Sequence, residues 1–204
     1  MNQSIAVVGA GICGLFTGLS LARQGFDVTL FERDVPPPQG NAEEAFFSWQ
    51  RRGAAQFRHP HAFLGLMCSV LGEKYPDLLD ELLAAGARKL TFEDMVPDHL
   101  ADQYQPEDGD ENLWMVLCRR ATIETVLRYY VAREPSLRIQ SHTSVTDVIV
   151  EEAQSVQGEP TLTVTGLELT DRHNQNTKST HSADIIVNAS GRADKFYQWL
   201  QHKG

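Results

Sequence analysis

Six residues near the N-terminus, Gly9-Ala10-Gly11-Ile12-Cys13-Gly14, and an acid further on, Glu32, have the types and spacing to hold a phosphorylated nucleotide. Glycine at position 9 permits a tight turn out of a buried strand, and Gly11 lets the main chain approach a pyrophosphate with no Cβ in the way. Gly14, with Gly18 one turn later, lets a helix lie close against a sheet. The helix N-terminus offers N–H groups and partial positive charge to the phosphates. Glu32 is suited to accept hydrogen bonds from the ribose hydroxyls of an adenosine. Arg33 reads equally as a neighbour of that adenosine, a phosphate contact, or a solvated loop arginine. The glycine pattern is weak alone and gains force from its surroundings. Ile5 to Val8 reads as a strand, Leu15 to Gln24 as a helix and Phe26 to Glu32 as a second strand. That is the βαβ unit of dinucleotide-binding proteins.

The elements that must position this turn come from a chain of 204 residues, long enough for a sizeable core. A content of 42% hydrophobic and 22% charged residues is that of a globular protein. The net charge of −9 argues against non-specific nucleic-acid binding, which needs a basic face. No apolar run reaches the length of a membrane span, and a first strand starting almost at residue 1 is expected to leave no room for a signal peptide. Cys13, Cys68 and Cys118 have no metal-like spacing, so they read as reduced, buried thiols of a cytoplasmic protein. No metal site is expected.

Along the chain, Arg33 to Pro38 must be an extended loop. The segment from Asn41 to His61 mixes Phe46, Phe47, Trp49, Arg51, Arg52, Gln56, Arg58, His59 and His61. It reads either as a loop folded over an anionic planar ligand or as a surface loop with anchoring aromatics. Ala62 to Leu71 is helical in character, and Pro76 to Ala85 is a helix with Pro76 in its first turn and Gly86 as its stop. Thr91 to Asn112 is an acidic, irregular excursion. Leu113 to Leu117 is a short strand running into Arg119-Arg120 and a helix. Two cations at that helix N-terminus oppose the macrodipole, which hints at an anion there. Leu137 to Gln140 is a strand. Val145 to Glu151 and Thr161 to Thr170 alternate as an antiparallel meander, with a turn over 155–160 and a polar stretch from Asp171 to Ser179. Ala183 to Ala189 then reads as a buried parallel strand that brings Ser190-Gly191-Arg192 to the carboxyl edge of the sheet.

Taken together, these motifs resemble the FAD-dependent oxidoreductases of the aromatic-hydroxylase type, the class A flavoprotein monooxygenases. The resemblance rests on Gly9 to Gly14, Glu32-Arg33, Gln56-Phe-Arg-His-Pro-His61, Tyr75 to Leu82, Arg119 to Glu124, Ala183 to Arg192 and Trp199-Leu200. The Gln56 to His61 loop is similar to a squalene-epoxidase-like subgroup. The resemblance implies an α/β, Rossmann-like FAD/NAD(P)-binding fold with a parallel sheet, helices and an inserted antiparallel β-meander. It implies that Gly9, Ala10, Gly11, Ile12, Cys13 and Gly14 hold the FAD pyrophosphate, that Glu32 and Arg33 lie at the adenosine, and that Arg120 approaches the pyrophosphate. The backbone near Val145 would meet adenine, and Gly191 and Arg192 would contribute to flavin binding. Ser190-Gly191 departs from the family's usual Asp-Gly pair, which puts a pyridine-nucleotide role there in doubt.

Family members continue into a substrate-covering sheet and a second Gly-Asp motif with no counterpart in these residues. The chain is therefore expected to be a single FAD-binding domain over 1–204, truncated at its C-terminus. Its partners would be a small-molecule substrate and the missing C-terminal half or an oligomeric partner. The intact enzyme would use NAD(P)H to reduce FAD and place one oxygen of O₂ on an organic substrate. No catalytic acid or base is assigned. The alternatives are a non-catalytic dinucleotide-binding module and an NAD-dependent dehydrogenase.

Overall fold

The computed structural model describes residues 2–154, 160–192 and 194–203. In chain order its elements are β1 (Ser4–Val8), α1 (Ile12–Arg23), β2 (Asp27–Phe31), α2 (Ala42–Ser48), β3 (Pro60–Leu64), α3 (Gly65–Lys74), α4 (Pro76–Ala84), β4 (Arg88–Thr91), β5 (Trp114–Arg119), α5 (Arg120–Val131), β6 (Leu137–Gln140), β7 (Thr143–Gln154), β8 (Pro160–Asp171), β9 (Thr177–Ser182), β10 (Ile185–Asn188) and α6 (Phe196–Lys203). They fall into two compact units. The first comprises Met1–Pro36, Gln50–Ala54 and Arg128–Gly204, and the second Pro37–Trp49 and Ala55–Leu127. The division falls within α5.

In the first unit β1 and β2 are β-branched and apolar runs, and each buries four of its five residues. Their parallel pairing, with Val7 opposite Leu30, requires the crossover that α1 supplies. The sheet order is β10-β1-β2-β6, parallel throughout. Gly18 explains how closely α1 lies on it, since a Cβ there would come within 2.7 Å of Leu30 Cδ1. A separate antiparallel sheet, β7-β8-β9, carries Val148, Leu167 and Leu169 into a core shared with Ala6, Val8 and Phe31. Complete burial of each such aliphatic side chain contributes about 1.5–3 kcal/mol, which holds the meander to the parallel sheet. This is the α/β architecture with an inserted meander that the sequence implies.

The differences are local. The expected buried strand at Ala183 to Ala189 is shorter. Among the described residues β10 is an edge strand, paired on one side with β1 only, which leaves Ile185 41% exposed. Part of the polar stretch after Asp171 forms β9, whose side chains are mostly exposed, so its pairing with β8 comes from main-chain bonds that no apolar pattern announces. The turn expected over 155–160 lies at residues 155–159 outside the described residues. Cys13 is exposed rather than buried, because it sits on the open first turn of α1, while Cys68 and Cys118 are buried as expected. Burial pushes the Cys118 thiol up to about 11.

The second unit is built on an antiparallel sheet of order β3-β5-β4. The segment from Asn41 is not all loop. Asn41 caps α2 by accepting the Glu44 N–H at 2.9 Å, a local signal that aromatic content obscured. Residues 62–64 extend β3, so the helix expected from Ala62 begins only at Gly65, whose φ of +44° ends the strand. α4 runs as expected from Pro76, buries Leu78 and Leu82, and is stopped at Gly86 with φ +95°. The acidic excursion holds three short 3-10 turns.

Candidate functional site

The glycine turn joins β1 to α1 in the first unit. Gly9 has φ +98°, and a Cβ on it would lie 2.5 Å from the Ala189 carbonyl oxygen, so β10 and the turn meet in van der Waals contact. Gly14 is equally constrained, since its Cβ would fall 1.9 Å from the Gly9 carbonyl oxygen. Gly11 is the opposite case. Its φ of −77° suits any residue, and among the described residues nothing lies within 4 Å of its Cβ position. Gly9 and Gly14 are glycines because protein presses on them, whereas Gly11 borders open space. Among the described residues no side chain caps α1, and no acid stands in its first turn, so the helix N-terminus keeps its positive end facing that space.

Glu32 follows β2 and is 6% exposed. Its Oε2 accepts the Ala10 N–H at 3.1 Å and pairs with Arg51 Nη1 at 3.0 Å, while Oε1 accepts the Asp34 N–H at 3.0 Å. Burial alone would raise this carboxyl, but Arg51, the Asp34 N–H and the more distant Arg128 together hold it below the usual carboxylate range. A carboxylate has about four lone-pair positions. Three are taken among the described residues, which leaves one on Oε1 for a ribose hydroxyl rather than two. Arg51 also donates to Asp34 Oδ2 at 3.1 Å, and its other end lies 3.4 Å from the Ala10 carbonyl oxygen. Arg128 lies at the same distance from that oxygen and donates to Ser141 Oγ at 2.7 Å.

The other residues named from sequence distribute as follows. Ile12 and Cys13 open α1, half-buried and exposed. Arg33 is largely in solvent, with Nε 3.9 Å from Asp34 Oδ1. Val145 lies in β7, whose first residue, Thr143, donates to the Glu32 carbonyl at 2.9 Å, so this strand starts beside the acid. Gly191, at φ +81°, and Arg192 follow β10 just past the contact between Ala189 and Gly9. Arg120 belongs to the second unit, where its Nε donates to Glu124 Oε1 at 2.6 Å, one helical turn on. Arg119 stacks over the Phe46 ring at 4.5 Å. Both cations thus have a partner within the second unit. Arg58, in the ligand-loop segment, donates to the Phe46 and Phe47 carbonyls instead.

Sequence reasoning missed Asp34 and Arg128 and placed Arg51 among loop cations. Arg128 had a signal, because it interrupts the apolar helical series Leu127, Tyr130, Val131 at a buried position.

Residues 4–87 match the model of the FAD dependent oxidoreductase family DAO. A stretch of 60 residues is 37% identical to the NAD-dependent dihydropyrimidine dehydrogenase subunit PreT of Escherichia coli K12, covering 29% of this chain and 12% of that protein. Among solved structures, THI4 of Thermovibrio ammonificans superposes with a TM-score of 0.61 at 20% identity over 100% of this chain and 63% of its own. For p-nitrophenol 4-monooxygenase PnpA of Pseudomonas putida DLL-E4 the values are 0.62 and 14%, over 98% and 43%. The myxobacterial chondrochloren halogenase CndH gives 0.60 and 19%, over 96% and 39%. At such identities the likeness is one of fold. The chain spans less than two-thirds of the length of each of these proteins.

Proposed function

We propose that the chain is the FAD-binding portion of a flavin-dependent oxidoreductase, an NAD(P)H-dependent monooxygenase that acts on a small organic substrate. The observation that carries this reading is the open cradle at Gly11. A turn forced to glycine on both flanks opens, at its centre, onto an uncapped helix N-terminus. The match of residues 4–87 to an FAD dependent oxidoreductase model supports the choice of FAD. The residues fit the group: Gly9 to Gly14 for the pyrophosphate, Glu32 Oε1 for one ribose hydroxyl, the strand at Val145 for adenine, and Gly191 with Arg192 toward the flavin. Bound FAD supplies the redox chemistry. The chain's own part is to hold the diphosphate on main-chain N–H groups, fix the adenosine end, and keep Glu32 ionised.

A visible absorption spectrum during FAD titration tests this. A bound-flavin spectrum near one FAD per chain is the expected result. Gly11→Val should abolish uptake while leaving the thermal midpoint almost unchanged, since its Cβ meets only the space assigned to ligand. A variant that still binds FAD refutes the assignment of the cradle. The NAD-dependent relative gives a second reading, because NAD presents the same adenosine diphosphate. Saturation by NAD with no uptake of FAD would select it.

A further inference from the structure

The centre of the glycine turn is held by charge on both of its hydrogen-bonding groups. The Ala10 N–H points to Glu32 Oε2, and the Ala10 carbonyl faces two guanidinium groups, Arg51 and Arg128, each at 3.4 Å. Arg128 is 4% exposed, and the Arg51 side chain is as deeply buried. A distance of 3.4 Å is long for a hydrogen bond, but both donors are charged and shielded from water, where attraction falls slowly with distance. Neither arginine is free to turn away. Arg51 is gripped by Glu32 and Asp34, and Arg128 by Ser141.

The consequence follows from the planarity of the peptide unit. In a trans peptide the C=O of one residue and the N–H of the next point in opposite directions. Holding the Ala10 carbonyl on the protein side therefore turns the Gly11 N–H outward, toward the open cradle. Holding the Ala10 N–H on Glu32 turns the Gly9 carbonyl the other way, to where a Gly14 Cβ would strike it at 1.9 Å. Two consecutive peptide planes are thus set by four side chains of balanced charge: Glu32, Asp34, Arg51 and Arg128.

We propose that Arg51 and Arg128 are positioning residues for the anion cradle, orienting the Gly11 N–H toward the ligand diphosphate through the Ala10 carbonyl without touching the ligand. The inference rests on the dinucleotide-binding reading of the turn for its purpose, though not for its geometry.

Amide hydrogen exchange by NMR on the ligand-free protein reads the geometry directly, and FAD titration of the same samples reads the purpose. In the unsubstituted protein the Ala10 amide should exchange at least about 100-fold more slowly than that of Gly11. Arg128→Met should shrink that contrast and weaken FAD binding about tenfold, with the thermal midpoint showing a folded protein. Arg128→Lys, which keeps the charge, should recover part of both, as a mere packing role would not. Asp34→Asn loosens Arg51 without deleting it and should act in the same direction if Arg128→Met fails to fold. Equal exchange at Ala10 and Gly11 in the unsubstituted protein overturns the proposal, as does wild-type FAD affinity in a folded Arg128→Met. A strong exchange contrast that Arg128→Met removes, in a protein that takes up no FAD, sustains the positioning and refutes the FAD reading instead.

Discussion

The two units engage their arginines over different spans of sequence. In the second, Arg120 pairs with Glu124 one turn away and Arg58 donates to the carbonyls closing α2, a dozen positions back. In the first, Arg128 reaches the Ala10 carbonyl across 118 positions of sequence and Arg51 reaches it across 41. Local pairing stabilises the element that makes it and little else. Long-range pairing onto main chain gives a turn a conformation that its own residues do not enforce. The second kind of charge belongs where a ligand must be met by peptide groups of fixed direction.

The largest expected effect breaks that turn directly. Gly14→Ala should destabilise the protein by about 3 kcal/mol or more, because the added Cβ falls 1.9 Å from the Gly9 carbonyl oxygen. Alanine's advantage in a helix, about 1 kcal/mol, is too small to offset this. Urea unfolding measures it. A loss below 1 kcal/mol would mean that the turn can yield, and the contrast with the locally satisfied second unit would weaken.

Glu32→Gln comes next, at about 3 kcal/mol, because it leaves Arg51 buried with one carboxylate instead of two. The pH dependence sharpens the test. The folded-state carboxyl lies below its ordinary value of 4.5, so its stabilisation is complete above that value and is lost as pH falls through the lowered one. Urea midpoints measured from pH 7 downward should therefore fall more steeply in the unsubstituted protein than in Glu32→Gln. Parallel acid limbs would show that Glu32 carries no coupling to the turn.

What was legible in the sequence follows the same division. β1, α1, β2 and α4 announce themselves because their signals are local: β-branched runs, glycine spacing, a proline in the first turn. The glycines at 9, 11 and 14 could be read as a ligand turn, but not that two are pressed by protein and one is open. For Gly9 that depends on Ala189, just after β10 and about 180 residues later, and for Gly14 on the direction of the Gly9 carbonyl, which sequence does not reveal. The edge position of β10 and the pairing of β9 escaped for a related reason, since strand partners are tertiary facts. Glu32 was legible as an acid at the end of β2. Its role as the anchor of Ala10 needed Arg51, which sequence reading left among the cations of a ligand loop or a surface loop because its buried partners are distant in the chain.

The smallest effect separates the two arrangements most directly. Arg120→Met removes the guanidinium 2.6 Å from Glu124, a residue with no exposed surface. A fully buried pair broken on one side costs about 3–5 kcal/mol, but the Arg120 side chain is 19% exposed and water can partly replace it, so about 2 kcal/mol is expected. Replacing both partners, Arg120→Met with Glu124→Leu, should recover most of that, since no buried charge is then left unpaired and both groups lie on one helix. The matching double replacement in the first unit, Arg51→Met with Glu32→Leu, should recover little, because the Ala10 N–H loses its acceptor and Asp34 the nearer and more buried of its two cations. Double-mutant urea titrations compare the two directly. Equal recovery in both pairs would show that the long-range network is no more than a buried ion pair, with no hold on the turn.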